Sequence, residues 1–95
     1  MLYTVVMDYR SGTYISQVKA RSVDTALRVW TEHLDISGVA GLGRRRKAEL
    51  IGEIKKQVSR REAPVPLDGV VNTWCASAAT SGGLVIVNII ATARG

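Results

Sequence analysis

Ninety-five residues, 46% apolar and 22% charged, are enough for one small domain with a core and exclude two domains. A chain of this size hides only about 60–70% of the surface its unfolded form exposes, so a partner that covers apolar surface adds stability. Thirteen Lys and Arg against eight Asp and Glu leave a net charge of +5, which permits an anionic partner without requiring one.

From Leu2 to Tyr9 the side chains alternate. Tyr3, Val5, Met7 and Tyr9 fall on one face and Leu2, Thr4, Val6 and Asp8 on the other, the period of a strand. Arg10-Ser11-Gly12 predicts a short turn with a glycine free to take positive φ, and Thr13 to Ala20 resumes with β-branched and aromatic residues, so the first twenty residues read as a hairpin. Ser22 stands at an N-cap position and Asp24 places negative charge in the first turn of a helix. Val23, Ala26, Leu27, Trp30 and Leu34 share one side of that helix, predicted over Val23 to Leu34.

Residues 35–43 carry three glycines, which break regular structure, while Ile36, Val39 and Leu42 still seek burial. This predicts a loop pinned by apolar contacts. From Arg44 a 3.6-residue period returns, with Lys47, Leu50, Ile51, Ile54 and Val58 in one sector and Arg45, Glu49, Lys56 and Arg60 opposite. The second helix runs to about Arg60, stopped by Pro64 and Pro66, and Asp68-Gly69 marks a turn. Val70 to Ala79 and Leu84 to Ala93 are β-rich runs joined by Thr80-Ser81-Gly82-Gly83, a second hairpin. The expected fold is α+β, ordered ββααββ, with a four-stranded antiparallel sheet of two hairpins and both helices on one face.

On the last strand both faces are apolar, with Val85, Val87 and Ile89 on one side and Leu84, Ile86 and Ile90 on the other, which implies burial on both. Two helices cover only one face, so the other is expected to be a homo-oligomer interface, a dimer above all. Trp74 has two readings, because alternation does not fix the pleat direction of its strand. It belongs to the core, or it joins Val70, Ala76, Ile86 and Ile90 on the face that a partner covers, where tryptophan is enriched.

Cys75 and His33 each occur once, so neither a disulfide framework nor a Cys/His zinc cluster is expected. No cofactor is implied. The N-terminal segment lacks the basic stretch of a secretory signal, and the apolar run Leu84–Ala93 is about half the length that spans a bilayer. A soluble, cytoplasmic protein without a membrane partner is expected.

The basic charge concentrates in residues 44–61, which carry a local net of +6 on a remainder that sums to −1. Such a helix either lies along phosphates or is a solvated face, and Glu49 and Glu53 soften it. Before it stands Gly41-Leu42-Gly43, which resembles the turn of helix-hairpin-helix DNA-binding proteins. That resemblance implies phosphate binding by free N–H groups at the start of the helix, with Gly41, Gly43, Arg44, Arg45, Lys56 and Arg60 as the anion-binding candidates across the loop 38–43 and the helix. The chain departs from that family in carrying Lys47 where a small residue follows the second glycine by four positions, and in a longer preceding loop.

Tyr3 to Val18 followed by Ser22-Val23-Asp24-Thr25-Ala26-Leu27 resembles the opening of HicB-type antitoxins, which bind a partner toxin and oligomerise. It lacks the Leu-Pro-Gly-Cys-like stretch of that family and transfers no functional residue. The inventory for enzyme chemistry is thin: His33, Asp35 and Ser37 are close in sequence, but a triad is assembled in space. His33 reads as a packed or half-exposed imidazole and Cys75 as a buried small thiol. An enzyme using either would need a concave pocket with a second titratable group in reach. The expected role is therefore a non-enzymatic binding protein that self-associates and has room for a protein partner, with nucleic-acid binding second.

Overall fold

A computed structural model describes residues 1–92. The elements are β1 (Leu2–Tyr9), β2 (Gly12–Lys19), α1 (Val23–Glu32), α2 (Arg44–Ser59), β3 (Val65–Pro66), β4 (Thr73–Thr80) and β5 (Gly83–Thr92). One antiparallel sheet runs in the order β2-β1-β5-β4-β3. The fold is α+β as expected, with one strand more. β3 escapes a reading by alternation because two residues show no period, and its pairing partners Cys75 and Trp74 lie on another element.

The β1–β2 turn is a two-residue loop in which Arg10 (φ 49°) and Ser11 (φ 67°) take the left-handed conformation, not Gly12. Left-handed residues at both central positions match the right-handed twist of the flanking strands. Gly12 pairs with Tyr9 in the ladder and has a different need for its missing side chain. A Cβ there would meet the Tyr14 hydroxyl at 2.5 Å, so the phenol ring folds over the glycine.

Ser22 caps α1 as the sequence suggests, its Oγ accepting from the Thr25 N–H at 3.2 Å. The helix ends at Glu32 and not Leu34, because the last turn tightens and the Leu34 N–H donates to the Thr31 carbonyl. In the loop that follows, Val39 and Leu42 are buried and each closes a turn, on the Ile36 and Val39 carbonyls respectively. α2 buries Leu50 and Ile54. Lys47 lies along the apolar sector, where its stem packs while its Nζ donates to the Leu34 carbonyl at 2.6 Å. α2 closes with Arg61 at φ 58° and the bonds Arg61 N–H to the Val58 carbonyl and Glu62 N–H to the Gln57 carbonyl, a Schellman motif with arginine at the usual glycine position.

β4 begins at Thr73 and not at Val70. Gly69 and Asn72, at φ 81° and 57°, carry residues 67–72 round a loop in which Val70 is exposed. The predicted end of the last strand at Ala93 lies outside the described residues. Both helices pack on one side of the sheet, against Tyr3, Val5, Met7 and Tyr9 of β1, Val85, Val87 and Ile89 of β5, and Ala76 and Ala78 of β4. Trp74 points the same way and meets Tyr3 edge to face, with ring centroids 6.3 Å apart. Trp74 and Ala76 therefore belong to the helix-covered side. They do not join Ile86 and Ile90, because register pairs them with the inward Ile89 and Val87. Val70 lies in the loop before the strand and on neither face.

Candidate functional site

Three regions carry features beyond those needed to fold. The first is the uncovered sheet face. Register places Ile15, Val6, Asn88, Cys75 and Val65 side by side across all five strands, with Leu84, Ile86 and Ile90 on neighbouring rows of the same face. Ile15 is 69% exposed, Leu84 55%, Val65 52% and Ile86 38%. Thr4, Thr13, Gln17, Thr73 and Ser77 stand between them, so the face is amphipathic and not a continuous oil surface. The burial expected for both faces of β5 is met on one. Cys75, expected in the core, sits half-buried on the uncovered face because it is one residue out of phase with Trp74 and Ala76.

The second region lies where both hairpin turns meet the start of α2. Gly43 is the N-cap and supplies no side-chain bond to the first turn of the helix. Arg44 and Arg45 are exposed beside it, and Arg46 turns back to donate from Nη1 to the Gly41 carbonyl at 2.8 Å. Arg10 arrives from the β1–β2 turn and donates from Nε to the Gly82 carbonyl at 2.8 Å, with its guanidinium 5.5 Å from the Tyr9 ring centroid. Four arginines thus collect at one end of the molecule. Glu49 is the acidic group among them, and its carboxylate accepts from the Ser81 N–H and Oγ at 3.0 and 2.8 Å. Those two bonds hold its pKa below the ordinary carboxylate value, and Arg45 and Arg46 add to the effect.

Of the six anion-binding candidates, Gly41, Gly43, Arg44 and Arg45 come together at this end. Lys56 and Arg60 do not. Along a helix rising about 1.5 Å per residue, Lys56 is roughly 16 Å from Arg45, and Arg60 faces Glu62 at 4.0 Å. Gly41 also departs from the phosphate-turn reading, because its carbonyl is turned inward to accept from the Tyr9 hydroxyl at 2.8 Å as well as from Arg46. Arg10 was not among the sequence candidates. No local pattern marks it, since its place depends on which strands are neighbours.

The third region is a groove of about 640 Å³ between the outer side of β2 and the segment that follows α1. Tyr14, Val18, Trp30, Leu34 and Val39 form its apolar walls. The Trp30 Nε1–H donates to the Ser16 Oγ at 3.1 Å and ties the helix to the strand across the floor. His33, Asp35 and Ser37 lie on its rim, so the pocket that an enzymatic reading needs does exist. The polar contact there is of another kind: the Asp35 Oδ1 accepts from the Ser37 N–H at 3.0 Å, closing a local turn and holding the carboxyl below its ordinary pKa. Among the described residues no hydrogen bond joins the His33 ring to either neighbour, and no group of three His, Cys, Asp or Glu has metal-binding geometry. Among the described residues no helix is long and apolar enough to cross a membrane. The chain matches no protein-family model, no curated protein and no solved structure.

Proposed function

We propose that the chain is a non-enzymatic binding protein that works as an oligomer, with its uncovered sheet face against a second copy. The observation that supports this is the row Ile15, Val6, Asn88, Cys75 and Val65, apolar but for its central asparagine and flanked by Leu84, Ile86 and Ile90, on a face that the helices leave open. Two such faces packed about 10 Å apart interdigitate as in a β-sandwich. A twofold axis doubles each contact, and each side chain that goes from exposed to buried contributes about 1.5–3 kcal/mol at full burial, against an association cost of several kcal/mol.

Sedimentation velocity at about 10–100 μM should show a dimer or larger, a range that corresponds to an association free energy of roughly 5.5–7 kcal/mol. Ile86→Lys should weaken that association about tenfold or more. Asp8 lies directly across from position 86 in the register, so the new ammonium has a partner in the monomer and the fold is kept. A clean monomer over this range, or an unchanged Ile86→Lys, overturns the reading.

A second reading, phosphate or nucleic-acid binding, is favoured by one observation: Arg10 is tied to Gly82 in the turn whose Ser81 meets Arg46, at the end of the molecule where Arg44 and Arg45 are exposed at the uncapped start of α2. It predicts affinity for a short duplex that falls linearly with the logarithm of salt concentration, by about 0.9 per phosphate neutralised. Arg45→Glu should weaken binding more than Lys56→Glu, which lies outside the cluster. No binding at about 20 mM salt, where such contacts are strongest, removes this reading.

A further inference from the structure

The two edges of the sheet are built differently. β3 is two residues long and ends in Pro66, with Pro64 just before it, an edge too short and too poor in donors to extend a ladder. β2 is eight residues with neither proline nor bulge. The two-residue turn sets the phase of its ladder. The pair flanking such a turn, Tyr9 and Gly12, is a hydrogen-bonded one, so Gly12, Tyr14, Ser16 and Val18 bond to β1, and the Ala20 N–H to the Met1 carbonyl continues the series. Thr13, Ile15, Gln17 and Lys19 therefore aim their N–H and C=O groups away from the sheet. Along the same edge runs the groove walled by Tyr14, Val18, Trp30 and Leu34.

We propose that β2 of a second copy occupies this edge, antiparallel about a twofold axis at Ser16, joining two five-stranded sheets into one of ten strands. The choice of occupant rests on self-complementarity. With Ser16 on the axis, Thr13 faces the second copy's Lys19 and Ile15 faces its Gln17, so all four outward residues of each copy are paired. A shift of two residues either way leaves an end unpaired. The two Lys19 ammonium groups fall at opposite ends of the ladder, where they do not repel each other.

On the helix side, Tyr14 lands beside the second copy's Val18, an aromatic and β-branched cross-strand pair that occurs twice. These side chains fill the two grooves, which meet at the axis, and each groove is incomplete without the other copy. A twofold axis perpendicular to the sheet keeps all four helices on one side. The uncovered face is left free, so this interface is separate from the one proposed above and does not rest on it.

Amide hydrogen exchange of the whole chain, followed by NMR across a dilution series alongside sedimentation, tests the proposal. The N–H groups of Thr13, Ile15, Gln17 and Lys19 should be protected in the associated chain and exchange freely on dilution. Gln17→Pro removes one outward N–H and no backbone β1–β2 bond, together with the side-chain bond from Gln17 Nε2 to the Thr4 Oγ1, which Gln17→Ala removes alone; the proline should weaken association about tenfold or more and the alanine should not, while circular dichroism stays unchanged for both. Ile86→Lys should leave edge protection intact, which separates failure of this interface from failure of the face. Free exchange at all four positions in an associated chain overturns the proposal, as does Gln17→Pro associating like the parent. A chain monomeric at every concentration overturns it too, and leaves the edge to a different extended peptide.

Discussion

Trp30→Ala should lose about 3–5 kcal/mol of stability, a large share of the roughly 5–15 kcal/mol that a domain has in total. Trp30 is 3% exposed and is the largest side chain that α1 places in the core. It belongs to the buried cluster that holds Leu27 and Val39 and against which Tyr14 packs, and its Nε1–H reaches the Ser16 hydroxyl. Alanine would remove the packing and the tether together and merge the vacated volume with the groove already beside it.

Two further variants separate those contributions. Trp30→Phe keeps most of the apolar volume, and Ser16→Ala removes only the acceptor. Ser16 is exposed, so its hydroxyl regains water when the indole is lost, and the hydrogen bond itself should contribute about 0.5–1.5 kcal/mol. Urea unfolding followed by far-ultraviolet circular dichroism reads all three without depending on tryptophan fluorescence. A loss below about 1 kcal/mol for Trp30→Ala, the usual range of a surface change, would mean that α1 is held to the sheet by other contacts.

What the sequence discloses about this fold tracks how strongly each element contrasts its two faces. β1 alternates large apolar residues with smaller or polar ones, and its inward set is buried as the alternation predicts. α1 announces its start through Ser22 and its core face through Ala26, Leu27 and Trp30. β4 has no such contrast. Thr73, Cys75, Ser77 and Ala79 are nearly as small and as neutral as Ala76 and Ala78, so Trp74 alone carries the signal, and one residue does not set a phase. Only pairing with Val85, Val87 and Ile89 decides it.

The same dependence on non-local pairing hides the features that matter for function. Arg10 reaches Gly82 because β1 and β5 are neighbours at the centre of the sheet. β2 has a free edge because the order is β2-β1-β5-β4-β3 and not another arrangement of the same hairpins. Composition placed the basic charge on residues 44–61 correctly, yet it overstated that helix as a unit. Its two ends are far apart, and the arginine that completes the N-terminal cluster comes from a strand turn.

Leu42→Ala should cost about 2–5 kcal/mol, although it sits in a loop between two glycines. Leu42 is 2% exposed and is the last anchor before α2, its N–H closing a turn on the Val39 carbonyl. Truncation would leave a cavity under the start of the helix and loosen the placement of Arg44 to Arg46. The flanking glycines should behave unlike each other. Gly41 has φ +78° and lies against the Arg10 guanidinium, so Gly41→Ala should cost about 1–2 kcal/mol in left-handed strain. Gly43 is extended at φ −84°, and a Cβ there meets nothing within 4 Å. Gly43→Ser should therefore be neutral or gain a few tenths of a kcal/mol, because it adds the missing N-cap hydroxyl to α2. Thermal or urea unfolding of the three variants checks the order Leu42→Ala, Gly41→Ala, Gly43→Ser from most to least destabilised. If Gly43→Ser also leaves duplex binding at low salt unchanged while Arg45→Glu removes it, the arginines and not the bare backbone amides hold the phosphate, and the glycine turn serves to aim them.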